Sequence, residues 1–455
     1  MDHQNWFDQF EEFPSTPNIH SSHQFYVPTA DEPEIALSSE EIIKVVGAQY
    51  NLNCTFAVPS LPREEQNGIE LAHLLLASAE MVSNQQYEQA SRLLSQCMKF
   101  SSQLGNPIER LCYYFFEALQ ERIEHQTCSV PNKGKEKIPN FASNYKSYYA
   151  KGEFYSVLAV CTTVLPYGKM IEFTAVQAIL DAVEDEKRIH VIDLGIRTGC
   201  QWAALIGSLS VRVSSSSIEH LKITAVGVNS DDLEGSGRRL TEFAKSMAIS
   251  FSFSSVKISS FEDINEALFD IEVGEFVAVY APTVFRTLLY DPTLLANTVN
   301  VIKKLNPDIL LNSEIEGQHN SPYFADRFTE ALIYYSAYFD CLEAVLPDRK
   351  DLRRLKYEEA FCGSQIRNMI ACEGEYRRVR HVRMDVWRSF FRREGFREKK
   401  FSYLAWYQAR LLLKQYVNAE RFTIEPNGSA MSVGWNGRLL HTLSIWTCKT
   451  MHKGY

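Results

Sequence analysis

Residues 189–199 read Ile-His-Val-Ile-Asp-Leu-Gly-Ile-Arg-Thr-Gly, and this stretch decides the fold. Its first half, residues 189–194, is the apolar run of a strand that is buried on both faces. Further strand-like runs follow, with helical patterns such as 233–247 and 294–305 between them, at 221–228, 251–258, 276–280 and 309–313. This alternation predicts right-handed crossovers and a parallel sheet with helices on both faces.

The two ends of the chain add different elements to this sheet. Residues 422–435 and 439–448 are strand-like and carry the turn pairs Asn427-Gly428 and Asn436-Gly437, which predict an antiparallel hairpin at one sheet edge. Residues 67–124 have the apolar spacing of helices, the last of which begins with Asn106 as N-cap and Pro107 at the first helical position. The predicted fold class is α/β, a Rossmann-like, mostly parallel sheet with an N-terminal helical cap and a C-terminal antiparallel hairpin.

Charge divides the 455-residue chain, whose net charge is -9. Residues 1–43 contain no Lys or Arg and hold the acids Asp2, Asp8, Glu11, Glu12, Asp31, Glu32, Glu34, Glu40 and Glu41. We therefore expect residues 1–66 to be a disordered acidic tail and residues 67–455 one folded domain. Within that domain we predict the cap at 67–124, a polar linker at 125–140 and the α/β core at 141–455.

Composition excludes several classes of protein. The hydrophobic share of 45% is typical of a globular chain and argues against wholesale disorder, collagen or coiled coil. Ten scattered cysteines show neither CxxC pairs nor zinc spacing, which favours a reducing, intracellular compartment and no structural metal. The N-terminus lacks the pattern of a secretory signal, and no apolar run reaches membrane-spanning length, so we expect no membrane association.

The turn after the first predicted strand is the natural place for a cofactor. Methyltransferases that use S-adenosylmethionine have an acid followed by three alternating glycines here, and this chain keeps Asp193, Gly195 and Gly199 but has Arg197 in the middle. A second marker, an acid that closes the second strand, is unclear because Asp231 and Asp232 come late. We expect no enzyme and no cofactor, with methyltransferase activity as the alternative.

Other catalytic constellations are weak. His190 lies in the middle of a strand, and a packed structural histidine is the simpler interpretation. Glu314 and Glu316 follow the fifth strand, where solvated or ion-paired carboxylates are the alternative to a catalytic pair.

Several ordered blocks together resemble one family, the plant GRAS transcriptional regulators. The central VHIID signature of that family resembles Ile189, His190, Val191, Ile192 and Asp193. Its leucine-rich regions resemble 71–96 and 235–253, its PFYRE region 322–340 and its RVER motif 377–381. Trp387 and Gly395 stand in its W-x7-G arrangement, Trp435 and Trp446 in its W-x10-W arrangement, and Ser444 begins its SAW position.

The resemblance implies a methyltransferase-like core that usually lacks methyltransferase activity. It also implies a nuclear regulator of transcription in plant development, hormone or root-symbiosis signalling. Its partners would be other GRAS proteins, as homo- or heterodimers, and DNA-binding transcription factors, with direct DNA contact in some members. The chain departs from the family at Val379 and Val382, where glutamates are usual, and at Ile445, which replaces an alanine. It also lacks the DELLA motif.

Two segments are candidates for protein partners. Leu71, Leu74 and Leu75 form an LxxLL sequence on a predicted helix, which either docks into an apolar groove or lies in the core of the cap. Trp6, Phe7 and Phe10 alternate with acids, as in activation segments, although a passive tail has the same composition.

The candidate for DNA contact is the basic stretch 376–400. On a helical wheel Arg377, Arg378, Arg388 and Arg392 share one arc, opposite an apolar arc that holds Val379, Val382, Val386 and Phe390. This pattern predicts a cationic helix face that binds phosphates. A solvated face, with some arginines paired to internal carboxylates, is the alternative.

Overall fold

The computed structural model describes residues 37–52, 63–127, 164–211, 218–228 and 230–449. Its centre is a nine-stranded sheet in the order β3-β2-β1-β4-β5-β9-β8-β7, with β6 paired to β9. The strands are β1 (Arg188–Asp193), β2 (His220–Gly227), β3 (Phe251–Lys257), β4 (Phe276–Pro282), β5 (Ile309–Ile315), β6 (Arg397–Lys399), β7 (Phe422–Asn427), β8 (Ala430–Trp435) and β9 (Arg438–Thr447).

Strands β1 to β5 are parallel, and β9 joins β5 in antiparallel orientation. The structure confirms the α/β, methyltransferase-like class and the antiparallel C-terminal strands. It also shows that β9 lies inside the sheet, between β5 and β8. The strand order reverses at β1, whose neighbours are β2 and β4, so the carboxyl ends of β1 and β4 form the switch point where ligands bind in such folds.

Thirteen helices are described along the chain, and we number them in chain order. They are α1 (Ser39–Leu52), α2 (Arg63–Ser83), α3 (Tyr87–Cys97), α4 (Pro107–Thr127), α5 (Pro166–Ala182), α6 (Cys200–Ser210), α7 (Ser230–Ser246), α8 (Pro292–Lys304), α9 (Phe324–Val345), α10 (Leu352–Tyr357), α11 (Ser364–Ala371), α12 (Met384–Arg393) and α13 (Tyr403–Leu413). A π-helical turn, Glu358–Gly363, joins α10 to α11.

Helix α4 begins where the sequence predicts. The Asn106 side chain accepts a hydrogen bond from the Glu109 backbone N–H at 3.0 Å, and the Glu109 carboxylate accepts one from the Asn106 N–H at 3.1 Å. This reciprocal cap satisfies two backbone donors at the helix start. The apolar stripe of α4, which includes Leu111, Phe115 and Leu119, is buried.

Helix α1 differs from the expectation that residues 1–66 are disordered. Ile42, Ile43 and Val46 are buried where α1 packs against α2 and α9. The acid Glu40 is itself buried and pairs with Arg438 at 2.9 Å. Apolar residues at helical spacing make this part of the predicted tail a fourth element of the cap.

The predicted linker also differs at its start, because α4 continues to Thr127. The rest of that linker and the helix expected near 150–163 lie outside the described residues. The next predicted helix, 173–185, is α5, which begins earlier, with Pro166 in its first turn. Among the described helices none is long and apolar enough to cross a membrane.

Candidate functional site

The turn after β1 is held by a buried aspartate. The carboxylate of Asp193 accepts hydrogen bonds from the Gly195 backbone N–H at 3.0 Å and from the Trp202 indole N–H at 2.8 Å. Burial raises the pKa of Asp193 to about 6, and these hydrogen bonds oppose the shift. Gly199, at φ 71°, then turns the chain into α6 in a conformation that favours glycine. Asp193 therefore fixes the strand to the following helix.

Arg197 lies across the switch point of the sheet. Its guanidinium donates a hydrogen bond at 3.0 Å to the hydroxyl of Thr283, which follows β4. Its backbone carbonyl accepts a hydrogen bond at 3.3 Å from the Ser236 hydroxyl on α7. The side chain thus joins the carboxyl ends of β1 and β4, where a methyltransferase cofactor would lie.

A cavity of about 50 Å³ remains beside this arginine. It is lined by Arg197, Thr283, Glu172, Tyr280 and His441, together with other aromatic and aliphatic side chains. Pockets that hold drug-sized ligands have volumes of roughly 300–1,000 Å³. With Arg197 in this position, the space beside it is too small to hold S-adenosylmethionine. Asp231 and Asp232, the candidate acids after the second strand, have side chains outside the described part of the structure.

Burial shifts the titration of two groups in this cavity. It raises the pKa of Glu172 to about 7, against the opposing charge of Arg197. It lowers the pKa of His441 to about 3, and that ring stacks on Tyr167 with centroids 4.9 Å apart. Both side chains are partly buried in a narrow cleft of low polarity, which favours the neutral form of each.

The other catalytic candidates have structural partners. His190 is buried between Glu275, which directly precedes β4, at 3.1 Å and Thr224 on β2 at 2.8 Å. Glu314 accepts a hydrogen bond from the Arg286 backbone, and Glu316 accepts one from Thr442 at 2.7 Å. Within the described ranges, no group of three or more His, Cys, Asp or Glu side chains has the arrangement of a metal site.

Most of the predicted docking leucines lie in the core of the cap. Leu71 and Leu75 are fully buried, while Leu74 is half-buried. Their shared helix face packs inside the cap, so these leucines contribute to its core in this structure, and docking through them stays a prediction. Trp6, Phe7 and Phe10 lie outside the described residues.

The apolar surface of the cap lies at its tip instead. Met98, Phe100 and Leu104 follow α3 in the connection to α4, and each exposes about half of its surface, at 57%, 51% and 48%. Single exposed apolar residues are common, but three within seven positions of one connection make this the most apolar exposed part of the described cap. A break in helical periodicity at 98–105 is the signal in the sequence that could have identified it.

The basic stretch does not form one helical face. Helix α12 begins only at Met384, and residues 377–383 are irregular. Arg377 is buried and donates to the His319 carbonyl at 3.2 Å, and burial lowers its pKa to about 9. Val379 and Val382 are buried beside it.

The other three arginines of the predicted cationic face differ in exposure. Arg388 pairs with Glu398 at 2.8 Å, and Arg378 lies 3.6 Å from the centre of the Tyr290 ring. Arg392 is the most open, with 63% of its side chain exposed. The four arginines therefore do not form one open cationic face, because Arg377 is buried and both Arg388 and Arg392 contact Glu398.

The remaining motif residues are structural. Trp387 packs on Phe285 and Phe391, and Gly395, at φ 88°, ends α12. Trp446 donates to the Ser444 hydroxyl at 2.9 Å, and this hydroxyl donates to the Asn312 carbonyl on β5. Trp435 packs edge to face on Phe422 across the β7–β8 pair. These residues pack α12 against the sheet and stabilise the pairing of its antiparallel strands.

Buried charges that connect the cap to the core have no signature in the sequence. Arg110 on α4 is fully buried and contacts Glu358 at 3.1 Å and Glu343 at 2.6 Å. Arg354 also contacts Glu343, at 3.1 Å. Glu358 belongs to the π-helical turn, so the network holds an irregular segment of the core against the cap.

A second buried polar cluster lies beneath β5. One Arg286 Nη atom is 2.9 Å from His381 Nε2, and His381 Nδ1 is 2.7 Å from His319 Nδ1. Burial lowers the pKa of both histidines, which favours neutral rings. This cluster holds the 377–383 segment in place.

Comparisons with known proteins agree with this architecture. The sequence model of the GRAS domain family matches residues 71–447. The DELLA protein RGL1 of Arabidopsis thaliana is 32% identical over 399 residues, which cover 88% of this chain and 73% of that protein. The DELLA protein RGA2 of Brassica campestris is 32% identical over 394 residues, covering 85% of this chain and 64% of that protein.

A solved structure supports the same fold. The crystal structure of SCL7 from Oryza sativa matches with a TM-score of 0.69 and 27% sequence identity, over 83% of this chain and 99% of that chain. The chain spans between 64% and 73% of the length of the two DELLA proteins.

Proposed function

The chain belongs to the GRAS domain family, whose members are plant transcriptional regulators, and we propose that it acts in the nucleus by assembling with other proteins. Its partners are other GRAS proteins, in homo- or heterodimers, and DNA-binding transcription factors. Its pathway is one of plant development, hormone signalling or root symbiosis.

The extent of the family match carries this proposal. The match runs from Leu71 in α2 to Thr447 at the end of β9, so it includes most of the cap, although not α1, together with the sheet and its antiparallel strands. A single shared motif would support only a shared turn or helix. A match of this extent supports giving this chain the general role of the family, and its surfaces then decide its partners.

The arginine that spans the switch point supports assembly rather than catalysis. Arg197 reaches Thr283 at 3.0 Å across the position of a cofactor, and the cavity beside it is about 50 Å³. We propose that the chain is not an enzyme and that the sheet serves as a scaffold. Calorimetric titration with S-adenosylmethionine tests this part, and saturable heat with product turnover would refute it.

We place the partner surface of the cap at its exposed tip, defined by Met98, Phe100 and Leu104. Burial of apolar side chains drives most protein association, and these three are available without unfolding the cap. Direct DNA contact through residues 377–400 is not part of the proposal, because Arg377 and Arg388 are engaged internally.

A tethering assay tests the function directly. The full chain, fused to an unrelated DNA-binding domain, is expressed in plant protoplasts with a reporter gene and with a second GRAS protein. We expect reporter output to change relative to the DNA-binding domain alone, and the fusion to accumulate in the nucleus. Unchanged output together with no association with any family member tested would contradict the proposal.

A further inference from the structure

Helix α13 is apolar on two opposite sides. Its inner side, formed by Ala405, Ala409 and Leu413, is buried where α13 packs against α5. At 100° per residue, four other apolar residues fall on the outer side within an arc of about 100°. They are Tyr403, Leu404, Tyr407 and Leu411, with exposed fractions of 83%, 47%, 50% and 41%. We call these four residues the outer α13 face.

The rim of the outer α13 face is positively charged. Residues 400–417 contain Lys400, Arg410 and Lys414 and no acid. All three cations are exposed, and Arg410 and Lys414 lie three and seven positions after Tyr407, on the same side of the helix. The face therefore suits a segment that combines aromatic side chains with carboxylates.

The N-terminal segment of this chain, residues 1–36, has that composition. It contains no Lys or Arg, and its acids are Asp2, Asp8, Glu11, Glu12, Asp31, Glu32 and Glu34. Trp6, Phe7 and Phe10 lie among the first of these acids. Its charge and apolar content are both complementary to the outer α13 face.

The segment joins the folded domain at α1, and two contacts connect the start of α1 to the residues that follow α13. In the first turn of α1, Glu40 pairs with Arg438 at 2.9 Å, at the turn between β8 and β9. In the same turn, the Asn436 N–H donates at 2.8 Å to the carbonyl of Arg421, which follows α13 in the chain. Covalent geometry lets 36 residues span at most about 120 Å, whereas an 11-residue helix is only about 16 Å long. The segment is long enough to reach the whole helix.

We propose that residues 1–36 dock on the outer α13 face, with Trp6, Phe7 and Phe10 against its apolar residues and the neighbouring acids against its cationic rim. A protein that binds the acidic aromatic segment then competes with α13 for it. The contact is autoinhibitory, because it withholds the segment from partners. It rests on the surface and charge of this chain and goes beyond the proposed function, which does not require it.

Site-specific photocrosslinking in the full chain tests the contact. A photoreactive phenylalanine analogue replaces Phe10, and the crosslinked peptides are identified by mass spectrometry. We expect intramolecular crosslinks to residues 400–417. Tyr407→Asp should reduce their yield about tenfold, the change in an equilibrium constant that about 1.4 kcal/mol gives. The matched control is Tyr323→Asp, which alters another exposed tyrosine, 62% exposed, and should leave the yield unchanged.

Three outcomes would overturn the proposal. The first is crosslinks that map elsewhere on the domain with the same yield in the Tyr407→Asp variant. The second is crosslinks between isotopically light and heavy copies, which would assign the outer α13 face to a second molecule. The third is unchanged hydrogen exchange of residues 403–413 when Trp6, Phe7 and Phe10 are replaced by alanine. Circular dichroism of each variant confirms that the fold is retained.

Discussion

Replacing Arg110 with methionine should loosen the cap from the core. The guanidinium is fully buried, contacts Glu358 at 3.1 Å and Glu343 at 2.6 Å, and donates to the Gly105 carbonyl at 3.0 Å. Methionine keeps most of the volume and removes the charge. Breaking a buried ion pair by removing one partner costs about 3–5 kcal/mol, because the other charge stays buried. The free energy of unfolding of a whole domain is only about 5–15 kcal/mol.

The loss should depend on pH. Burial raises the pKa of Glu358 to about 7, and the charge of Arg110 opposes that shift. When folding raises the pKa of an acid, the free energy of unfolding of the protein falls as the pH rises from the unfolded pKa through the folded one. Without Arg110 the pKa rises further, so the deficit of Arg110→Met should be larger at pH 8 than at pH 5.5. In the double variant with Glu358→Gln, part of the pH 8 deficit should be recovered.

Urea unfolding followed by far-ultraviolet circular dichroism at both pH values measures these differences. Arg92→Met is the matched control, because Arg92 is exposed on the neighbouring helix α3. It should change stability by no more than about 0.5 kcal/mol. The reasoning is refuted if Arg110→Met resembles this control, or if its deficit is the same at pH 5.5 and pH 8.

Three further predictions concern the cap and the closed cavity. Gly363→Ala should cost about 1–3 kcal/mol in the free energy of unfolding, because the new methyl group would lie 2.6 Å from a buried tyrosine ring of the cap. The control is Gly207→Ala, which is also in a helix. Its new methyl group would have nothing within 4 Å, so this variant should be neutral or stabilising. Glu172→Gln should make the free energy of unfolding less dependent on pH, because burial raises the pKa of Glu172 to about 7. Between pH 5 and pH 8 the parent should lose up to about 3 kcal/mol more than the variant. Equal pH slopes in urea unfolding would contradict this. Leu75→Ala should destabilise the protein by about 2–5 kcal/mol, because Leu75 is fully buried. Phe100→Asp should preserve the melting temperature and weaken capture of a second GRAS protein. If instead Leu75→Ala weakens capture at an unchanged melting temperature and Phe100→Asp does not, the partner surface contains the leucines of α2.

The sheet was predictable because its central strands are buried on both faces. Ile189, Val191 and Ile192 are buried, and their side chains point to both faces of the sheet. A strand that is covered by helices on both faces needs apolar residues at successive positions, so it can be recognised in the sequence. The turn at Asp193 was also visible, since acid and glycine follow the strand directly. The closure by Arg197 was inferred from the size of its side chain, and its partner Thr283 became visible only in the folded chain.

Buried charges were not predictable, because their meaning depends on partners far away in sequence. Arg110 and Glu358 are 248 positions apart and look like two ordinary surface residues of helices. In the basic stretch, the sequence pattern predicted an exposed face where the structure has a buried residue. Arg377 fits a cationic arc on a helical wheel, but the chain there is irregular and the arginine points into the protein. Periodicity cannot separate a helix from an irregular segment of seven residues.

The position of β9 has a consequence for biosynthesis. This strand pairs with β5, β8 and β6, yet it is the last of the described strands to leave the ribosome. Until residues 438–447 emerge, β5 presents an open row of backbone donors and acceptors to the crowded cytosol. A premature stop codon just after Trp435 would leave that edge permanently unpaired. Alleles of this kind should yield aggregated or rapidly degraded product, even though the cap and the parallel strands are all encoded upstream.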